Sequence, residues 1–133
     1  MRFMMLMIPK IYQPGEPPSS PPDPSVFEAM GRFNEQMVKA GIMLSGDGLH
    51  PADKGTRVSY AGGKATAKDG PFAEAKELVG GFWMIDVKSK EEAVQWALRI
   101  PALDGDIVEV RQVQEFDDFP PEVQAVIPQE RPS

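Results

Sequence analysis

The feature that most narrows what this chain can fold into is a repeated order: an apolar, strand-like run leads into a capped amphipathic helix twice, with a glycine hairpin between the two copies. Phe3 to Ile8 is apolar without interruption, as a central strand buried on both faces requires. Ser25-x-x-Glu28 then reads as a capping box. Phe27, Met30, Phe33 or Asn34, Met37 and Val38 follow at helical spacing until Gly41 supplies a stop. Ile42 to Ser45 is a short apolar strand. Val58 to Ala61 and Lys64 to Ala67 flank Gly62-Gly63, the length and residue type of a tight hairpin, and their weak hydrophobicity predicts a projecting arm. The second copy begins at Phe82 to Val87. Trp83, Ile85 and Val87 alternate there with Phe82, Met84 and Asp86, so both faces are largely apolar. Ser89-x-x-Glu92 caps the second helix, whose stripe of Ala93, Trp96, Ala97 and Ile100 is expected to bury Trp96 before Pro101 ends it. Ile107 to Val113 is the last strand.

Two βαβ halves of this kind predict an α+β fold, with an antiparallel sheet, both helices on one face and the hairpin as an insertion. The opposite face then exposes Phe82 and Met84, the signature of an interface. Residues 9–24 carry seven prolines and few apolar residues, so neither a helix nor a ladder runs through them. The expected organisation is one domain over residues 1–114, including that proline-rich loop, and an acidic, proline-containing tail over 115–133 that wraps the surface or frays.

Composition removes whole classes of function. A length of 133 residues suits one domain with one core. The formal net charge of −6 argues against direct binding of nucleic acid or anionic membranes, which rests on Lys and Arg meeting phosphates. Without cysteine there is no thiolate nucleophile, disulfide or iron–sulfur ligand, and one histidine cannot build a His-rich metal site. The apolar start, Phe3 to Ile8, is too short for a membrane span and lacks a cleavage pattern, so a cytoplasmic protein is expected.

The densest chemistry lies in Asp69-Gly70-Pro71-Phe72-Ala73-Glu74-Ala75-Lys76-Glu77 and the Gly80-Gly81-Phe82-Trp83 that follows. Gly70 and Pro71 force a sharp turn, and Asp69 sits at its corner. The plain reading of Asp69 is a turn carboxylate that accepts backbone N–H groups a few residues on. Glu74, Lys76 and Glu77 read plainly as a solvated charge group and functionally as substrate contacts. His50 pairs with Asp69 in the sharper reading: imidazole exchanges protons near neutral pH, and a carboxylate fixes its tautomer. The plain alternative for His50, which precedes Pro51, is an exposed turn residue. Other constellations fit less well. Gly46-x-Gly48 lacks the third glycine and the helix of a dinucleotide-binding turn. Ser45, His50 and Asp69 contain the groups of a triad without a nucleophile elbow. Asp69, Glu74 and Glu77 could offer oxygens to Mg²⁺ or Ca²⁺ but form no regular loop motif. No cofactor is expected.

Taken with Gly48-Leu49-His50-Pro51 and Glu109-Val110-Arg111, the D-G-P-F, A-E-A-K-E and G-G-F-W runs resemble the YCII-related family in its DGPF-domain branch, in family order and over most of the chain. The resemblance implies small bacterial proteins of ferredoxin-like, dimeric α-β barrel type, paired through the helix-free sheet face as a homodimer with clefts near the sheet edges. It also implies a suspected His–Asp pair, for which His50 and Asp69 are the matching positions. The family's activity is not established. The leading expectation is therefore a small-molecule-binding protein, acting as a cofactor-independent acid–base enzyme of isomerase or lyase type. The alternative is a non-catalytic binding or regulatory module, because domains of this branch occur beside sigma-factor domains and this acidic chain would reach transcription only through protein contacts.

Overall fold

The computed structural model describes residues 1–13, 23–72 and 77–128. The elements run in the expected order, β1 (Arg2–Ile8), α1 (Pro24–Lys39), β2 (Met43–Gly48), β3 (Thr56–Ala61), β4 (Lys64–Asp69), β5 (Gly81–Asp86), α2 (Lys90–Leu98) and β6 (Ile107–Gln112), and a one-turn α3 (Pro121–Gln124) that was not expected follows. The main sheet has the order β2-β5-β1-β6 and every pairing in it is antiparallel, which is the ferredoxin-like arrangement of an open sheet. Strands β3 and β4 form a separate two-stranded ribbon. Its turn holds Gly62 at φ 58° and Gly63 at φ 77°, the left-handed pair that a two-residue hairpin needs.

Register decides which side chains meet the helices. Met5 lies opposite both Trp83 and Val110, and Phe3 lies opposite Ile85. These residues share the face on which α1 contributes Phe33 and Met37 and α2 contributes Ala93, all part of one buried core. Phe33 meets Trp83 at 6.1 Å and Trp96 at 6.3 Å between ring centroids, both in edge-to-face geometry, which ties the two helices to each other and to the sheet. The opposite face carries Met4, Leu6, Phe82 and Met84, each half-buried. Thus β1 is central as expected, but only one of its faces is fully closed.

Several local expectations shift. Asp23, not Ser25, caps α1: its carboxylate accepts the Ser25 N–H at 2.9 Å. Pro24 takes the first helical position, where its missing donor costs nothing. At the other end Gly41 N–H reaches the Val38 carbonyl and Ile42 N–H the Met37 carbonyl, a Schellman stop with Gly41 at φ 72°. Strand β2 runs past Ser45 to Gly48, with its register shifting between Met43 and Ser45. Ser89 caps α2 by accepting the Glu92 N–H at 3.1 Å, while Glu92 reaches back to the N–H of Lys88. Trp96 is only half-buried, and Arg99 stacks over its ring at 4.2 Å. The segment after β6 is pinned at its start, where Arg2 donates to both carboxylate oxygens of Glu115 at 2.7 and 3.1 Å.

Candidate functional site

A cleft of about 510 Å³ opens between the first two turns of α1 and the end of the sheet where β2 and β5 pair. Glycine makes the room. Gly46 pairs with Trp83 and Gly48 with Gly81, so all three glycines fall on the helix-facing side, where side chains would otherwise fill the space beneath Val26, Phe27 and Met30. The three differ in tolerance. A Cβ on Gly46 would stand 2.9 Å from the Met43 Cε and 3.1 Å from the Phe82 carbonyl oxygen, and one on Gly81 3.0 Å from the Asp47 carbonyl oxygen. A Cβ on Gly48 meets nothing nearer than the Gly80 carbonyl oxygen at 4.0 Å.

The walls are held by specific bonds. Trp83 is 6% exposed, and its Nε1–H donates to Asn34 Oδ1 at 2.9 Å. Because indole is a donor only, this bond fixes which end of the Asn34 amide faces the ring. Gln13 clamps the opposite wall: its side-chain N–H groups donate to the carbonyls of Pro9 and Leu78, and its Oε1 accepts the Leu78 N–H at 2.7 Å. Gly80 completes that wall, since a Cβ there would press within 2.5 Å of the Pro9 ring and 2.9 Å of the Tyr12 ring. Backbone bonds from Gly80 N–H to Met7 and from Leu49 N–H to Gly80 lock the strand ends together. The lining is mostly apolar and aromatic, with Tyr12 and Asn34 as polar side chains, while the Asp47 side chain alternates to the other face, a composition suited to a small organic ligand. Phe27 is 65% exposed, which the helical stripe alone did not predict for a residue on its apolar side.

The D-G-P-F turn is built differently. Asp69 ends β4, and its carboxylate accepts the Thr56 hydroxyl at 2.7 Å across the root of the hairpin; among the described residues no backbone N–H of the turn bonds to it. Gly70 does not adopt a positive φ. Its missing side chain serves close approach, because a Cβ would lie 2.0 Å from the Ala52 carbonyl oxygen. Gly70 N–H donates to Gly55 at 2.9 Å, and the Gly70–Pro71 peptide is cis. Phe72 is buried, with Arg57 stacked over its ring at 4.4 Å.

The two acid–base candidates therefore stand on adjoining loops. His50 is exposed and follows Leu49, a residue of the cleft lining, while Asp69 precedes the glycine that packs on Ala52. No hydrogen bond or ion pair joins His50 to Asp69 among the described residues. Glu77 is exposed beside the buried Leu78, and Glu74 and Lys76 lie outside the described residues. Among the described residues no three acidic or histidine side chains cluster as a metal site would need, and no helix is long and apolar enough to cross a membrane.

The residues missed from sequence are those of the cleft: Tyr12, Asn34, Gly48, Gly80 and Trp83. The available signal was the matching of Gly46-x-Gly48 on one strand with Gly80-Gly81 on its partner, which needed the pairing register to be seen.

An uncharacterized protein of Rhizobium meliloti (strain 1021) is 32% identical over 75 residues, covering 56% of this chain and 60% of that relative's length. The model of the YCII-related domain matches residues 1–117, from the first strand through the pinned start of the C-terminal segment, and the chain belongs to the YCII-related family.

Proposed function

We propose that this protein binds a small organic molecule in the cleft between α1 and the β2–β5 strand ends, and that His50 with Asp69 supplies cofactor-independent acid–base chemistry of isomerase or lyase type. The glycine-floored cleft carries the reading: a volume of about 510 Å³ falls in the range of small-molecule sites, and Trp83 and Phe27 offer aromatic surface to a ligand. His50 is one residue from Leu49 in the lining, and the loop it opens packs on the turn that carries Asp69. A modest closing of these loops around a ligand would bring the imidazole to a bound substrate, with Asp69 orienting it. Glu77 is the described member of the charged run assigned to substrate contact. The D-G-P-F run supports the DGPF-domain branch of the family, and the half-buried face of Met4, Leu6, Phe82 and Met84 supports a homodimer.

One observation favours a second reading. Asp69 is already engaged by Thr56, and nothing bonds it to His50 in the free chain, as in a non-catalytic binding or regulatory module. The test is a small-metabolite library added to ¹⁵N-labelled protein, followed through the Trp83 indole N–H resonance. Compounds that shift it in wild type should not do so in Gly48→Leu, whose side chain fills the cleft. Turnover of a bound compound, lost by on the order of a hundredfold in His50→Ala and Asp69→Asn with binding retained, would establish the enzyme. Binding without turnover would leave the module. No library member acting on Trp83 would remove both.

A further inference from the structure

Every residue of β3 and β4 is exposed, yet the register sorts them into two chemically distinct faces. Val58 lies opposite Ala67 and Tyr60 opposite Ala65, which makes one face apolar, while Arg57, Lys64 and Lys68 share the other with Ser59 and Thr66. Tyr60 is 79% exposed and Val58 49%. A two-stranded ribbon is marginal by itself in water, and one with an uncovered apolar face is expected to be completed by a partner.

The arm is also anchored as a projecting element. Its root is closed by the Thr56–Asp69 bond, by Gly70 N–H on Gly55 and by Arg57 stacked over buried Phe72, so its direction is set before any partner arrives. Preorganisation of this kind lowers the ordering cost of association. Charge then discriminates among partners. The two strands carry three cations against one carboxylate, a net of +2 in a chain of net −6, so the remaining residues carry −8. A basic, half-apolar arm projects from an acidic body.

We propose that the arm docks on a second copy of this chain, with Val58 and Tyr60 packing against its body and the three cations set within its negative field. A second copy supplies both complements at once, the opposite charge and apolar side chains left exposed on its body, Leu98 and Leu103 among them. Two-fold symmetry then forms the arm contact twice. The inference deepens the homodimer reading above and rests on it only for where the second body sits.

The test is sedimentation equilibrium on the full chain in wild type, Tyr60→Asp and Met84→Glu, with circular dichroism to check the fold. Tyr60 is exposed in the free chain, so Tyr60→Asp should fold normally while raising the dimer dissociation constant by roughly tenfold or more, as loss of a central interface aromatic does. Added salt should weaken the wild-type dimer. A photo-crosslinking residue at position 60 should join labelled to unlabelled chains in a mixed sample. An unchanged dissociation constant in Tyr60→Asp, with dissociation only in Met84→Glu, would overturn the arm and keep the sheet-face pairing. Dissociation in Tyr60→Asp but not in Met84→Glu would keep the arm and overturn the sheet-face pairing. A wild-type monomer at about 100 µM, or crosslinks confined to single chains, would overturn the arm outright.

Discussion

Two glycine-bearing regions of this molecule, the hairpin root and the β2–β5 strand ends, use the same missing side chain for opposite ends. At the hairpin root Gly70 has no Cβ because another backbone occupies its place: the Ala52 carbonyl oxygen would sit 2.0 Å from it. At the strand ends Gly48 has no Cβ and nothing takes its place, since the nearest atom would be 4.0 Å away. The first glycine closes structure and the second leaves a cleft. The D-G-P-F root is the conspicuous motif in the sequence, yet the described bonds of Asp69, Gly70 and Phe72 all hold the fold together. The inconspicuous Gly46-x-Gly48 run has no motif value of its own and helps to open the cleft on the helix side of the sheet. A motif's visibility in sequence and the role of its side chains are therefore separate matters.

The largest effect should come at the root. Gly70→Ala drives a methyl group into rigid backbone, and a loss of roughly 3 kcal/mol in denaturant unfolding is expected. A loss below about 0.5 kcal/mol would mean the two loops separate freely and the contrast with Gly48 fails. Next comes the wall of the cleft. Asn34→Leu removes the acceptor of a buried indole N–H and should cost about 2 kcal/mol, with the Trp83 indole N–H exchanging faster with solvent. Unaltered exchange would show that the bond does not hold the wall.

Gly48→Leu should change stability by less than about 1 kcal/mol, because the added side chain enters open space on an edge strand. A larger loss would indicate that the cleft is smaller in solution than the geometry allows. The smallest effect is a pH dependence at the far side of the cleft, where α1 begins. The N–H of Ser25, bonded to the Asp23 carboxylate, holds that carboxyl below its ordinary range, with the Ser25 side chain adding to the effect. A depressed folded-state pKa means stabilisation present above the unfolded value and lost as pH falls through the folded one. Protection of the first-turn amides of α1, taken relative to their intrinsic exchange at each pH, should therefore fall below about pH 4 in wild type, with little added change in Asp23→Ala. Equal acid sensitivity in both would remove Asp23 as the cap.

Much of the fold was legible because local chemistry decides it. The Gly62-Gly63 turn needs two left-handed residues in succession, and Ser89 three residues before Glu92 satisfies an orphan amide whatever surrounds it. Where two local solutions competed, the capping-box spacing misled. Ser25 was expected to cap α1, but Asp23 does, with Pro24 at the first helical position, where proline forfeits no hydrogen bond. The exposure of Phe27, on a stripe that looks alike to the fully buried Met37, depends on what lies across from it, which is open cleft; the half-buried Trp96 is covered in part by Arg99 instead of by core residues alone.

By itself the sequence determined the class of fold, the alternation of strands and helices, the hairpin turn and the family, because period, caps and turn residues act over a few residues at a time. Only the tertiary structure decided that Gly48 and Gly81 face each other beneath α1, that Asp69 bonds Thr56, and that the hairpin carries its apolar residues on one uncovered face. Each of those depends on register between strands distant in sequence. Shifting a pairing by one residue would turn every side chain to the other face, and no local pattern records that choice.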